Sequence, residues 1–322
     1  MEQSIARLLL ELRLTGTTMN QLIELGEIKC PTPGDAIFEV IEFGPELFCA
    51  VKTENELSLH RLDLKKLDSA PVVRASPLVD PPGSPVWWDG DRLFFLTRES
   101  VHSPLYVYSK SKDELAKISD NHASTFHFVG WVGKFRIYRR SVSVNGESHE
   151  SGYLSFDTES LRFAPHREKP ESWEIDSPEL IWFLEDCYRY RWKSGERADL
   201  RITSKENPTL YEVTLSGPAG KIVLYRKEEA SFGEATRTTA FYCGDPGVAW
   251  AEIYQDPKAA ADDPVDVKIV FYSRRHSWKR FETAIRHPVL GGGDWKVMVH
   301  ADAVILVCEG RGFCFRSFET SP

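Results

Sequence analysis

A single unit recurs along this chain: a tight turn, a strand rich in aromatic or β-branched residues, a polar loop, and a second such strand. The turns fall at Gly44-Pro45, Asp89-Gly90-Asp91, Val132-Gly133-Lys134, Glu185-Asp186, Asp245-Pro246-Gly247 and Ala301-Asp302. Their spacing is roughly 43 to 61 residues along the 322-residue chain, and self-similarity at such a period marks a repeat architecture. A unit of that size cannot bury both faces of its own sheet, so it must stack on neighbours. This requirement restricts the possible folds more than any composition figure does.

The paired strands after each turn are Leu47 to Val51 with Leu57 to Leu62, Arg92 to Thr97 with Leu105 to Tyr108, and Phe135 to Arg139 with Gly152 to Phe156. The later copies are Tyr188 to Trp192 with Asp199 to Thr203, Val248 to Tyr254 with Val265 to Tyr272, and Val304 to Cys308 with Phe313 to Phe318. A further strand precedes each turn, as in Ile37 to Phe43 and Leu180 to Leu184, and weaker outer strands such as Leu115 to Ile118 follow some copies. Four strands make a blade. The middle strands are apolar on both faces, as a sheet covered on both sides requires. The expected fold is therefore all-β, a β-propeller of about six or seven antiparallel blades over residues 36–322; two β-sandwich domains are the alternative. Residues 1–35 can be read as an amphipathic helix through Ile5, Leu8, Leu9 and Leu12, with Asn20 to Leu25 as a further helical stretch, or as strands that close the ring against the C-terminal blade. The longest gap holds an extra apolar run, Ile222 to Tyr225, and the fifth copy is lengthened by Lys258 to Pro264.

Over roughly residues 36–322 the pattern resembles β-propeller repeat proteins in general. The subfamily motifs are absent as repeats. A kelch-like double glycine occurs once, at Gly291-Gly292-Gly293, Trp88-Asp89 is a single dipeptide at a turn, and no Asp box is found. The resemblance implies architecture, and architecture does not carry function with it.

Composition limits the partners. Lys+Arg 40 against Asp+Glu 48 gives a formal charge of −8, which opposes sequence-blind binding of nucleic acid over the whole surface. No apolar run approaches the ~20 residues that span a bilayer. Glu2, Glu11 and Arg13 make the N-terminus a poor secretory signal. The six cysteines form no CxxC pair, and Cys49, Cys243, Cys308 and Cys314 sit in apolar strands, where a thiol behaves as a small hydrophobe. These features point to reduced thiols and a cytoplasmic or nuclear location.

No nucleophile elbow, Walker loop, dinucleotide fingerprint or HExxH spacing occurs, and neither cofactor nor metal is expected. His122 and His127 read as a turn and a strand histidine. The distinctive chemistry is the alternation of bases with aromatics. In Tyr188-Arg189-Tyr190-Arg191-Trp192-Lys193, period-two geometry puts the rings on one face and Arg189, Arg191 and Lys193 on the other. Arg136 and Arg140 lie in the preceding copy, and Arg275 and Trp278 in a later hairpin turn with Arg274, Lys279 and Arg280. Aligned cations cannot be buried unpaired. They either pair with carboxylates of the next blade or line a wet, anion-binding face. With no catalytic signature, the expected function is a protein-interaction scaffold that presents propeller loops to a protein partner. An anion-binding module for nucleic acid or an acidic ligand is the first alternative, and an enzyme with a site assembled from blade loops is the second.

Overall fold

The computed structural model describes residues 20–30, 32, 35–53, 56–75, 82–97, 104–118, 124–132, 135–144, 147–166, 180–184, 187–192, 194–204, 209–217, 220–229, 236–255, 263–287, 295–308 and 310–319. Every regular element among them is a strand, and no helix is long and apolar enough to cross a membrane. After β1 (Asn20–Ile28) the strands fall into successive antiparallel groups. These are β2 (Ala36–Phe43), β3 (Glu46–Lys52), β4 (Leu57–Asp63) and β5 (Asp68–Ala75); then β6 (Pro82–Trp88), β7 (Arg92–Thr97), β8 (Leu105–Ser109) and β9 (Glu114–Ile118). Next come β10 (Ser124–Val132), β11 (Phe135–Val144), β12 (Glu147–Asp157) and β13 (Arg162–His166), followed by β14 (Leu180–Leu184), β15 (Cys187–Arg191), β16 (Arg197–Ser204), β17 (Thr209–Gly217) and β18 (Gly220–Glu229). The last groups are β19 (Thr236–Gly244), β20 (Gly247–Gln255), β21 (Val265–Ser273) and β22 (Lys279–His287), then β23 (Lys296–His300), β24 (Ala303–Cys308) and β25 (Arg311–Glu319). The chain is all-β and of the β-propeller class, built from antiparallel meanders of four strands, five in β14–β18, and three in β23–β25 completed by β1.

The chain divides into two compact units. The first comprises Met1–Thr53, Ser58–Arg74 and Gly233–Pro322. Here β2-β3-β4-β5 form one sheet, and the order β19-β20-β21-β22-β1-β25-β24-β23 forms another. β1 is hydrogen-bonded antiparallel along β25, from Asn20 opposite Glu319 to Ile28 opposite Gly312, and meets β22 in parallel at Gln21 opposite Glu282. The N-terminal strand thus supplies the fourth strand of the C-terminal blade. β23 packs against β19 and β20 on one side, and β2 packs against β23, β24 and β25 on the other. Leading strands of consecutive blades therefore stand side by side. All six residues of β24 are buried, and so are Leu47 to Val51 of β3. The blade cores are filled by residues such as Ala249, Ile269 and Phe281 against Val304, Leu306 and Phe315, and by Ile37, Cys49 and Val51 against Ile305 and Val307. Gly247 begins β20 at φ 146°, where a Cβ would lie 2.0 Å from the Tyr272 carbonyl oxygen. That close approach requires glycine.

The second unit comprises Glu54–Leu57 and Ala75–Phe232. It holds the four-stranded sheet β6-β7-β8-β9 and a nine-stranded sheet in which β10 and β14 pair antiparallel, joining two blades. Trp87 stacks on Phe94 at 4.8 Å, and Phe94 meets Phe156 edge-on at 6.2 Å, so one aromatic cluster binds the β6–β9 blade to the β10–β13 blade. The Asp89-Gly90-Asp91 turn is held by its own side chains. The Asp91 and Arg92 amides donate to Asp89 Oδ1 at 3.1 and 2.7 Å, and the Arg92 guanidinium returns to Asp89 Oδ2 at 2.7 Å. Arg92 also donates to the Thr158 carbonyl at 2.6 Å, tying the turn to the next blade. Partial desolvation pushes the Asp91 carboxyl up. Hydrogen bonds from the Ser111 amide and the Ser111 and Ser109 hydroxyls, with the Arg92 charge, more than offset this and hold it below the usual carboxylate range.

Candidate functional site

Of the bases and aromatics singled out in the sequence, Arg275 and Trp278 have described side chains. Both lie in the five-residue loop that joins β21 to β22 in the first unit. The loop closes on backbone hydrogen bonds from Trp278 N to Ser273 O (2.8 Å), Ser277 N to Arg274 O (3.0 Å) and Lys279 N to His276 O (3.1 Å), and Arg274 N reaches Pro246 O at 2.9 Å. Ser277 and Trp278 both adopt positive φ, 55° and 63°. For a residue as bulky as tryptophan this is an uncommon conformation, and it persists only where the surroundings enforce it. The enforcing contacts are local. The fully buried Ser273 hydroxyl lies 2.9 Å from His276 Nδ1, and the His276 ring stands edge-on to Phe281 at 5.3 Å.

This pinned loop presents Arg275 to solvent, with Trp278 half-buried beside it. Arg275 makes no ion pair with any described residue. Arg280, by contrast, is paired with Glu282 at 2.5 Å, and Lys268 approaches the same carboxylate at 3.8 Å. The loop is therefore a small cationic and aromatic surface on a chain whose net charge is −8. It suits a ligand that brings an anionic group to Arg275 and an apolar surface to the Trp278 side chain.

The other sequence candidates lie in the second unit, with Arg136 and Arg140 on β11 and Arg189 and Arg191 on β15 of its nine-stranded sheet. Their side chains, and Lys193 altogether, lie outside the described residues. So do His122 and Gly291 to Gly293. Backbone register sets Arg189 opposite Asp199 and Arg191 opposite Arg197. Asp199 is 2% exposed and accepts from Arg197 Nε at 2.8 Å. Trp192, at the end of the aromatic face, is buried.

Neither a family model nor a curated protein sequence matches the chain. Solved structures give distant likenesses. The computationally designed Ika8 protein is 8% identical over 91% of this chain and 100% of its own, with a TM-score of 0.43. TolB from Acinetobacter baumannii is 12% identical over 79% of this chain and 56% of its own, at 0.36. The WD40 domain of SCAP from fission yeast is 11% identical over 88% and 72%, at 0.33. At these scores no functional residue carries over.

The first unit also contains a polar cluster that the sequence did not reveal. His60, 3% exposed on β4, places Nδ1 3.1 Å from the Ser69 hydroxyl, which also donates to the Lys29 carbonyl at 3.3 Å. The same hydroxyl lies against the thiols of Cys30 and Cys49. These residues come from four separate segments, so no spacing along the chain could announce them. Burial pushes both thiols up despite the Ser69 hydrogen bond, and Cys314 is raised to about 11, again mainly by burial. Raised thiols hold little thiolate at neutral pH and react slowly. Native-state alkylation at pH 7.5, followed by mass spectrometry, should therefore label the half-buried Cys30 before Cys49, Cys308 and Cys314, and all four far more slowly than in denaturant. Immediate labelling of Cys49 in the native protein would contradict the burial argument.

Proposed function

We propose that this protein is an interaction module whose β21–β22 loop docks an acidic stretch of a protein partner, in the cytoplasm or nucleus. The observation that carries the reading is the exposed Arg275 beside the half-buried Trp278 on a loop held in an uncommon backbone conformation. Arginine and tryptophan dominate the energetics of protein interfaces, and a preorganised loop loses little entropy on binding. The acidic chain as a whole repels polyanions, so a local cationic loop favours a short acidic peptide over a long nucleic acid strand.

The test is titration of the full chain with a fluorescent Glu/Asp-rich peptide and, separately, with single-stranded oligonucleotide. Arg275→Glu should weaken the peptide by about tenfold, equivalent to ~1.4 kcal/mol. Trp278→Gly should do at least as much while the protein still unfolds cooperatively, because glycine accepts φ 63° without strain. Unchanged peptide affinity in both variants would overturn the reading. Steeply salt-dependent oligonucleotide binding lost in Arg275→Glu would favour the nucleic-acid alternative.

A further inference from the structure

β18 is the last strand of the nine-stranded sheet. One edge pairs with β17, and no strand among the described residues is hydrogen-bonded to the other. Such an edge offers unpaired backbone groups to any strand that arrives, and natural edges are commonly blunted by proline, inward-pointing charge or shortness. β18 runs for ten residues without proline. It leaves Ile222 62% and Val223 49% exposed, and with Phe43 these are the exposed large hydrophobics among the described residues.

The charge order along this edge indicates what covers it. The strand reads Gly220-Lys-Ile-Val-Leu-Tyr-Arg-Lys-Glu-Glu229, with a cation near its start and two carboxylates at its end. A parallel neighbour of the same sequence would set Lys221 against lysine and Glu228 against glutamate. An antiparallel neighbour with its two-fold axis between Leu224 and Tyr225 sets Lys221 opposite Glu228 of the partner subunit, and symmetry repeats the pair. It also sets Ile222 opposite Lys227 in register and lays Val223 beside the aliphatic stem of Arg226. Leu224 is the extra residue of a bulge against β17, where Val213 pairs with Tyr225 and Thr214 with Val223. The bulge sits next to the axis, so the regular stretches on either side carry the new pairing. We propose that β18 pairs antiparallel with β18 of a second copy of this chain, forming a two-fold dimer through a continuous sheet.

Sedimentation equilibrium of the full chain between about 1 and 100 µM, a range that brackets micromolar association, should show a monomer–dimer equilibrium. Ile222→Lys places a charge on an exposed edge position and should abolish the dimer, with a melting curve equal to that of the wild type at concentrations where the wild type is monomeric. Lys221→Glu should weaken dimerisation at least tenfold, and the double variant Lys221→Glu/Glu228→Lys should restore it. Lys221 also lies 3.6 Å from the half-buried Glu212 within the same chain, so Lys221→Gln serves as the control for loss of that pair alone. Backbone amides of residues 221–224 should gain hydrogen-exchange protection as concentration rises. A wild-type chain that stays monomeric throughout, a dimer indifferent to Ile222→Lys, or amides whose protection ignores concentration would each overturn the proposal.

Discussion

Replacing Trp250 by alanine is expected to cost at least about 3–5 kcal/mol, the range of large aromatic truncations in a packed core. Trp250 is 2% exposed on β20, stacked on Tyr272 at 5.7 Å and tilted against Phe241 at 6.4 Å. Its Nε1 donates to Glu252 Oε1 at 3.2 Å, and the Tyr254 hydroxyl donates to the other oxygen of that 6%-exposed carboxylate. The alanine variant thus opens a cavity and also removes one of two donors from a buried carboxylate. Trp250→Phe separates the two effects. It keeps most of the packing, loses the N–H, and should cost about 1–3 kcal/mol. Adding Glu252→Gln to Trp250→Phe should recover part of that, since an amide tolerates a missing donor better than a carboxylate does. Urea denaturation of the three variants reads these differences from the midpoints at constant slope. A Trp250→Phe midpoint equal to wild type would show that the indole hydrogen bond contributes nothing.

Strands with apolar residues at successive positions are the ones sequence reveals most sharply. Arg92–Thr97 and Leu180–Leu184 coincide with β7 and β14 residue for residue, and the cores of β3 and β24 are apolar at successive positions because each face meets a neighbouring sheet. The outer strand Leu115 to Ile118 was legible as β9, but other late strands of the blades escaped the reading. β5 contains Asp68, Pro71 and Arg74 with buried positions only at intervals, β17 alternates Thr and Glu with Leu and Val, and β22 exposes every second residue. Strands with few consecutive apolar positions approach the composition of a loop. The run Ile222 to Tyr225 read as an insertion and proves to be the fifth strand of its blade, β18.

The candidate loop was legible in part. Arg275 and Trp278 stand out as a basic, aromatic hairpin turn, but the positive φ angles and the Ser273–His276 contact that hold it depend on backbone geometry. Whether the arginines of β15 meet carboxylates is equally invisible in chain order. Register places Asp199 opposite Arg189 on the adjacent strand of the same blade, whereas the sequence reading looked for such a partner in the next blade.

Deleting residues 1–29 should abolish cooperative unfolding or drive aggregation. β1 lies between β22 and β25, and it buries Leu22 (2% exposed), Ile23 (9%) and Ile28 (4%). Three such side chains contribute about 1.5–3 kcal/mol each, which together rivals the ~5–15 kcal/mol by which a whole domain is stable. The paired Glu27 and Arg311 carboxylate–guanidinium contacts, at 2.7 and 2.6 Å, add register more than energy because both groups are exposed by more than a third. Removal of β1 would bare the edge of β25 along Phe313 to Phe318, a long apolar template for intermolecular pairing. The point variant Leu22→Ala tests the same contact without exposing an edge. It should lower stability by about 2–5 kcal/mol while the protein stays soluble and cooperative. If the truncated chain instead remained soluble and melted with an unchanged midpoint, the N-terminal strand would be dispensable, and residues 36–322 would complete their sheets unaided.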